Sequence, residues 1–578
     1  MLINKEIFKI WAVLETKHKK FFLIIFVFTI LVTILEMLSF AVFIPLLELI
    51  FKDDQGLFSK STFFKKVAID YKSDLIFIFI LLLIFIFFIK NLSISFFLWL
   101  QNKFSNEIFY FYSSKLFKLY LLQPYKFFLN KNSSELFRNL HNEMNNFQFL
   151  ILQMIYFFSE LLIVFSILSF LLYLKFDETI LAIFIILLGF IFLYLFTKKK
   201  LFLWGEDQIT LSEKFHKNIF QGLNGFREIK IFDKENYFAE IYKKNIKKYT
   251  NISAKVSTIT SLPKPILEFF LIFCFSMAML FMLKINLTEK EILLNISLLA
   301  LAGFRILPSV NRMTSCLQQI NRLLPSANLI FNEFKLSKEV DNNNLNSNDF
   351  GQYNFINKIT LKNVYFNYES SNLPVLQNIN FEILKNKITG FFGDSGSGKS
   401  TILNILLGLL QPTKGKIYIN GQIKKLNSLY WRKNIGYVPQ NTFLLDDSIK
   451  NNITLKLNHE PFNEKNFKMS LKLSKVDEFL DKFEEREEIQ IGERGKRLSG
   501  GQIQRIAIAR ALYNNPDILI FDEAFSALDK NLEENLIEAV IKDLAKIKTI
   551  ILVSHNINLQ KVCEIVYKLK NGTITKIK

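Results

Sequence analysis

"GFFGDSGSGKST", residues 390–401, closes a short apolar β-type run and opens the helical stretch "TILNILLGLL". The pattern G-x-x-x-x-G-K-[ST] is complete, with Gly393, Gly398, Lys399 and Ser400 at its fixed positions. Glycines without Cβ atoms let the backbone N–H groups from Gly393 through Asp394, Ser395, Gly396, Ser397 and Gly398 to Thr401 close around phosphates. Lys399 then reaches the β- and γ-phosphates, and the Ser400 hydroxyl ligates Mg2+. The helix N-terminus adds its positive dipole end. A Gly-rich turn alone says little; with Lys-Ser between a strand and a helix it specifies a nucleotide cradle.

Downstream, "ILIFDEAFSALD" (518–529) is a buried strand ending in two carboxylates. Asp522 suits a Mg2+ second shell, and Glu523 suits a base or orienter for an attacking water. Before it, "LSGGQIQRIAIARAL" (498–512) offers Ser499, Gly500, Gly501 and Gln502 at a helix start, a second phosphate nest. One nucleotide already has its cradle, so a second nest makes sense for a nucleotide held by another copy. From about residue 355, "KITLKNVYF", "KITGFFG", "DILIFDEA" and "TIILVSH" alternate with helical stretches. That pattern predicts an α/β domain with a largely parallel sheet over 355–578.

Upstream the character changes. The 578-residue chain is 50% hydrophobic with mean hydropathy +0.23, and carries net charge +20 at a pI of about 9.4. Such charge fits nucleic-acid binding or a membrane protein with lysine-rich cytoplasmic loops. The basic residues flank apolar runs, which favours the membrane and argues against nucleic acid. Phe, Ile, Lys and Asn abound throughout, so codon bias adds to both charge and aromatic content. Six stretches suit membrane helices: about 21–48, 75–100, 147–174, 179–196, 265–285 and 292–322. Two long lysine-rich connections separate the second from the third and the fourth from the fifth, so the N-terminus, both connections and the C-terminal half are expected in the cytoplasm. Part of 51–74 suits an amphipathic helix on the outer surface. The first apolar run is too long for a signal peptide and lacks an A-x-A-like cleavage site. Cys274, Cys316 and Cys563 show no metal or disulfide spacing. The expected fold is thus a multi-domain membrane protein: a six-helix all-α transmembrane domain (1–335), a polar Asn-rich linker (336–354) and an α/β P-loop ATPase domain (355–578).

The P-loop, "YVPQN", "LSGGQ", "DEAFSALD" and "SHN", in this order after six apolar runs, resemble an ATP-binding cassette exporter of the half-transporter type, which works as a dimer. The resemblance spans essentially the whole chain and implies further roles. Tyr368 in "VYFNY" resembles the aromatic that stacks on adenine. Gln440 resembles the glutamine that touches Mg2+ and reports to the membrane domain, and His555 the switch histidine at the γ-phosphate. Asp529 resembles the aspartate that crosses the dimer interface. Catalysis would then rest on Glu523, His555 and Gln440, with ATP and Mg2+ as cofactors. Ser499–Gln502 and Asp529 would contact ATP in trans, from the second copy of a homodimer. "QPYKFFLNKNSSELFRNL" (123–140) and "GLNGFREIKIFDKENYF" (222–238) stand where the family has its coupling loops, and "IGERG" (491–495) resembles the coupling stretch of exporters. Two departures are mild: Phe525 stands where Thr is usual, and Asn556 where Arg is usual. The implied location is the bacterial inner membrane, multi-pass, with the ATPase domain in the cytoplasm.

"FRILPSVNR" (304–312) puts Arg305 and Arg312 about 10 Å apart on one face of the sixth run. Charges at this depth cost about 2.5–3.5 kcal/mol on insertion scales and mark pathways or ion pairs. Glu36, Lys90 and Glu160 are expected at similar depth, so pairing such as Glu36–Arg305 competes with a role in the substrate path, and Arg312 can snorkel to the inner headgroups. Guanidinium groups favour phosphate, so a lipid-linked anionic substrate is the natural cargo. The stretch resembles the sixth span of bacterial flippases for the lipid-linked oligosaccharides of protein N-glycosylation. The alternatives are an exporter of another lipid (lipid A-like), a peptide or a drug, and a non-transport cassette ATPase acting on nucleic acid or translation, which would lack the six runs.

Overall fold

The computed structural model describes residues 11, 14–42, 46, 72–174, 176–284, 289–345, 357–368, 373–426, 428–456, 460–481, 483–492, 495–525 and 543–578. Asp529, residues 51–71 of the expected outer helix and residues 493–494 of "IGERG" lie outside them. The chain forms two compact units, one of Met1–Gln123 with Phe128–Asn342 and one of Pro124–Phe127 with Asn343–Lys578.

The first unit is helical. Its long elements are α1 (Thr16–Ala41), α2 (Lys72–Leu121), α3 (Met144–Leu174), α4 (Phe176–Asn224), α5 (Glu235–Ser261), α6 (Pro263–Lys284) and α7 (Glu289–Leu345). Among the described residues four stretches are long and apolar enough to cross a bilayer: Thr16–Ser39, Ser73–Leu121, Ser133–Phe170 and Glu235–Lys284. The expected spans 179–196 and 292–322 lie within α4 and α7 but are not among those four, so the count of six is not established.

The long connections are not loose loops. With 50 residues, α2 is about 75 Å long, far more than the ~30 Å apolar core of a bilayer. A helix already nucleated in lipid propagates cheaply through Lys-, Glu- and Leu-rich sequence. Short helices, Tyr125–Asn130 and Ser133–Arg138 in the first and Phe226–Ile231 in the second, interrupt the extensions at the expected coupling loops. Likewise α7 contains Pro308 and Pro325 and continues into the expected linker as far as Leu345. A π-turn, Asn139–Glu143, precedes α3; it buries Asn139 and Glu143, beside buried Arg138, which donates to Glu213 at 2.6 Å. Val164, Ile167, Leu193, Leu267, Ile306 and Val310 make a shared core of α3, α4, α6 and α7.

The second unit has two sheets. Strands β1 (Lys358–Phe366), β2 (Leu376–Leu384), β4 (Lys414–Ile419) and β5 (Gln422–Ile423) form an antiparallel sheet in the order β2-β1-β4-β5. "KITLKNVYF" forms β1 of this smaller sheet and pairs antiparallel on both sides; β-type sequence does not reveal strand direction. Strands β3 (Ile388–Gly393), β6 (Ile435–Val438), β7 (Ile518–Asp522), β8 (Thr549–Ser554), β9 (Ile565–Lys570) and β10 (Thr573–Lys576) follow the order β10-β9-β3-β8-β7-β6, and only the β9–β10 pair is antiparallel. The parallel strands are apolar on both faces, as buried parallel sheets require. Ile518 and Ile520 enter a core shared with the antiparallel sheet and helix α8 (Lys399–Leu406), while Leu519 and Phe521 enter one shared with helix α9 (Gly500–Tyr513). The opposite face of α9, with Ile506, Ala509 and Tyr513, packs into a third core around Ile449, Phe467 and Phe479. Apolar layers on both sides explain why "IQRIAIARALY" is apolar almost all round.

Candidate active site

The chemistry-bearing residues gather at the C-terminal ends of β3, β7 and β8, where ligands bind in parallel sheets. After β3 the chain makes a tight turn into α8. Gly398, the N-cap of α8, has φ +104°, and a Cβ there would lie 2.7 Å from the Leu376 side chain. Only glycine holds this conformation without strain. Lys399 is buried, and its ammonium donates to the carbonyls of Gly393 (2.6 Å) and Asp394 (2.9 Å), so the charge points back into the turn. The buried Ser397 hydroxyl has no hydrogen-bond partner among the described residues. Asp394, Ser395, Gly396 and Ser400 are exposed on the loop, and Thr401 is buried behind it. The Tyr368 hydroxyl lies 3.3 Å from the Thr401 Oγ1, and its ring packs edge-on against Phe366, 4.9 Å between centroids. The sequence-predicted aromatic thus stands beside the cradle.

Glu523 follows the last residue of β7 at φ +49°, in the left-handed region, while its N–H donates to the Val553 carbonyl at 2.9 Å. A non-glycine residue held there costs of order 1–3 kcal/mol and clusters at functional sites. The bend aims its carboxylate at two partners. Gln440 donates to Oε2 at 2.6 Å, and His555 Nδ1 stands 3.3 Å from Oε1. Three residues far apart in sequence, from the ends of β6, β7 and β8, therefore meet. Neighbouring Asp522 accepts a hydrogen bond from Tyr437 at 3.3 Å. Burial pushes the Asp522 carboxyl above its usual range, while the Tyr437 hydrogen bond and the Lys399 charge oppose the rise.

The second nest is a built helix start. Ser499 caps α9 by accepting from the Gln502 N–H (3.3 Å), and the Gln502 side chain accepts from the Ser499 N–H (2.8 Å), a reciprocal capping box. Ser499 and Gly500 are exposed, with Gly501 and Gln502 half-buried. Arg510 stands at the far end of α9, outside the motifs read from the sequence. It donates to the carbonyls of Asn452 (2.7 Å) and Phe443 (2.8 Å), clamping the chain after Gln440 to the helix that bears Ser499. Its "ARAL" context reads only as helix interior.

Oxygen donors suit the hard cation Mg2+. Among the described residues no group of three or more His, Cys, Asp or Glu forms a cage. The exposed Ser400 hydroxyl and the half-buried Asp522 carboxylate offer oxygen donors that fit a cation sharing its shell with phosphates.

In the first unit the membrane-depth charges have found one another. Arg305 forms an ion pair with buried Glu36, whose Oε2 also lies 3.6 Å from the ammonium of buried Lys90. Arg312 is bound by Glu160, with Nη2 3.2 Å from Oε2, and reaches Ser309 at 3.4 Å. The expected pairing of Glu36 with Arg305 is therefore present, and Arg312 has an acidic partner rather than only a snorkelling path.

Comparison with known proteins agrees with this layout. The family described as "ABC transporter transmembrane region" matches residues 19–306, and that described as "ABC transporter" matches 376–526. One polypeptide thus carries an ABC transporter transmembrane region followed by an ABC transporter ATP-binding domain, the layout of a half-transporter. It is similar to the multidrug resistance-like ATP-binding protein MdlA of Buchnera aphidicola subsp. Baizongia pistaciae, 32% identical over 66% of this chain and 65% of that one. It is also similar to the lactococcin-G-processing and transport ATP-binding protein LagD of Lactococcus lactis subsp. lactis, 31% identical over 64% of this chain and 52% of that one. The chain thus spans less than two thirds of the length of these curated relatives. A bacterial Atm1-family ABC exporter with ATP bound shares its fold, with TM-score 0.75 and 18% identity over 95% of this chain and 94% of that one.

Proposed function

We propose that this chain hydrolyses ATP to drive export across the bacterial inner membrane, working as a homodimer with the ATPase domain in the cytoplasm. The observation that carries the reading is the convergence of Gln440, Glu523 and His555 beside the Lys399 cradle. In this reading Lys399 and the loop N–H groups hold the phosphates, and Tyr368 stacks on the adenine. Ser400, Gln440 and Asp522 hold Mg2+, which when bound neutralises charge on the phosphate oxygens. Glu523 accepts a hydrogen bond from the attacking water and takes its proton. Gln440 and His555 fix that carboxylate, and His555 faces the γ-phosphate. The exposed Ser499–Gln502 nest and Asp529 serve the nucleotide of the second copy. ATP then favours the closed dimer, and hydrolysis releases it.

For the cargo we infer an amphiphile with an anionic head, in the specific form a lipid-linked oligosaccharide, with Arg305 and Arg312 along its path. Two cations surround Glu36, so an anion that engages Arg305 leaves Glu36 paired with Lys90. The competing reading is a peptide or drug exporter: the similar proteins named above are a multidrug-resistance-like and a lactococcin transporter, and both arginines already have carboxylate partners. Proteoliposomes containing labelled lipid-linked oligosaccharide, lipid A or peptide discriminate. ATP-dependent movement of the first alone supports the specific form, movement of lipid A alone keeps the anionic amphiphile but replaces the oligosaccharide, and movement of peptide alone transfers the function to the other class.

A further inference from the structure

Tyr437 belongs to none of the phosphate motifs, yet it donates a hydrogen bond to the metal-side carboxylate. It lies on β6, where it pairs with Ile520 of β7, two residues before Asp522. Gly436 before it permits this closeness: a Cβ there would meet the Ala511 carbonyl at 2.5 Å and the Leu519 side chain at 2.7 Å. The tyrosine is half-buried against the main core of the unit, with Tyr125 from the segment Pro124–Phe127 against the same core. Its hydroxyl donates to Asp522 Oδ2 at 3.3 Å. Burial keeps the phenol protonated, so it remains a donor at any physiological pH. The hydrogen bond fixes the rotation of the Asp522 carboxylate, which burial deprives of water as an alternative donor.

We propose that Tyr437 is a positioning residue for divalent cation: its hydroxyl holds the Asp522 carboxylate in one orientation, so metal affinity depends on a side chain that touches neither metal nor nucleotide. The proposal rests on the reading of this site as an ATP–Mg2+ site. Replacement by phenylalanine keeps the ring and its packing and removes only the donor. One hydrogen bond to a charged group of this length predicts a loss of about fivefold to tenfold in cation affinity.

The test uses the full chain in nanodiscs, in a Glu523→Gln background that prevents turnover. Mn2+ binding with ATP is followed by electron paramagnetic resonance, and binding of a fluorescent ATP analogue is measured separately in EDTA. Tyr437→Phe should weaken Mn2+ binding about fivefold to tenfold and leave metal-free nucleotide binding unchanged. With Glu523 intact, it should raise the Mg2+ concentration for half-maximal ATPase activity while kcat at saturating Mg2+ stays within about twofold; a merely structural loss would lower kcat at every Mg2+ concentration and so overturns the proposal. Unchanged Mn2+ affinity in Tyr437→Phe, with a parent that binds normally, also overturns it. A parent that binds neither ATP nor Mn2+ overturns the reading of the whole site and the proposal with it.

Discussion

Lys399, Glu523 and His555 hang from backbone turns at the ends of strands, whereas Glu36, Lys90, Glu160, Arg305 and Arg312 sit in the middle of helices and are held by one another. In the first region the backbone does the positioning: a left-handed Glu523, a Gly398 that admits no Cβ, and a helix start that caps itself through Ser499 and Gln502. In the second the backbone is regular helix, and the charges are placed by which helices pack together. The first region can therefore take up and release a charged ligand without unfolding. In the second each cation already has a carboxylate partner, and an anionic ligand there must compete with that carboxylate.

The contrast is broken most severely by Lys399→Ala, which removes the only cation aimed into the P-loop turn among the described residues. Nucleotide binding and ATPase activity should fall more than about 100-fold, with thermal stability close to wild type, since the side chain contacts only carbonyls of its own loop. Phosphate release and calorimetry check both parts. Next in size, chains carrying Lys399→Ala mixed with chains carrying Ser499→Arg should regain ATPase activity that neither variant shows alone, because one composite site carries both defects and the other neither. Fully active isolated monomers would contradict shared sites.

The membrane cluster should respond in stability rather than in phosphate chemistry. Glu36→Gln strands two cations, whereas Arg305→Ala leaves Glu36 with Lys90 at 3.6 Å. Both should lower the melting temperature, Glu36→Gln more, and the double variant should be milder than the sum; broken buried pairs cost up to about 3–5 kcal/mol. Additive losses measured by thermal unfolding would show that the pair is not coupled. The smallest effect concerns Cys563, buried in the ATPase unit with its thiol pushed up to about 12. Native protein should resist maleimide at pH 7 and keep its activity, while denatured protein labels readily. Between the ordinary thiol value of 9.0 and about 12, the native state holds a proton the unfolded chain has lost, so this group's contribution to stability declines as pH rises through that window.

The same contrast governs what could be read from the sequence. Phosphate cradles are local: the residues from Gly393 to Thr401 act together because they are consecutive, and the strand and helix around them follow from periodicity. The meeting of Gln440, Glu523 and His555 needs the strand order β8-β7-β6, which no local pattern supplies; the family resemblance carried it. Tyr437 and Arg510 escaped notice because one reads as a strand aromatic and the other as a helix-interior cation. The direction of β1 was not legible for a similar reason, since apolar alternation is alike in parallel and antiparallel strands. In the helical unit, depth could be estimated from the rise per residue, which placed Glu36 and Arg305 at one level. The choice of Glu160 as partner of Arg312 depends on the packing of α3 against α7, which a run of Phe, Leu and Ile does not encode in readable form.

The central claim is that backbone geometry at the end of β7 makes Glu523 the group that activates water for ATP hydrolysis. Its most direct test is Glu523→Gln in the full-length chain in nanodiscs, followed by ATP binding and phosphate release together. Binding should persist, turnover should fall at least about 100-fold, and ATP should trap the closed dimer, because the amide keeps the contacts to Gln440 and His555 but cannot take a proton. Phosphate release at the wild-type rate by that variant would contradict the claim.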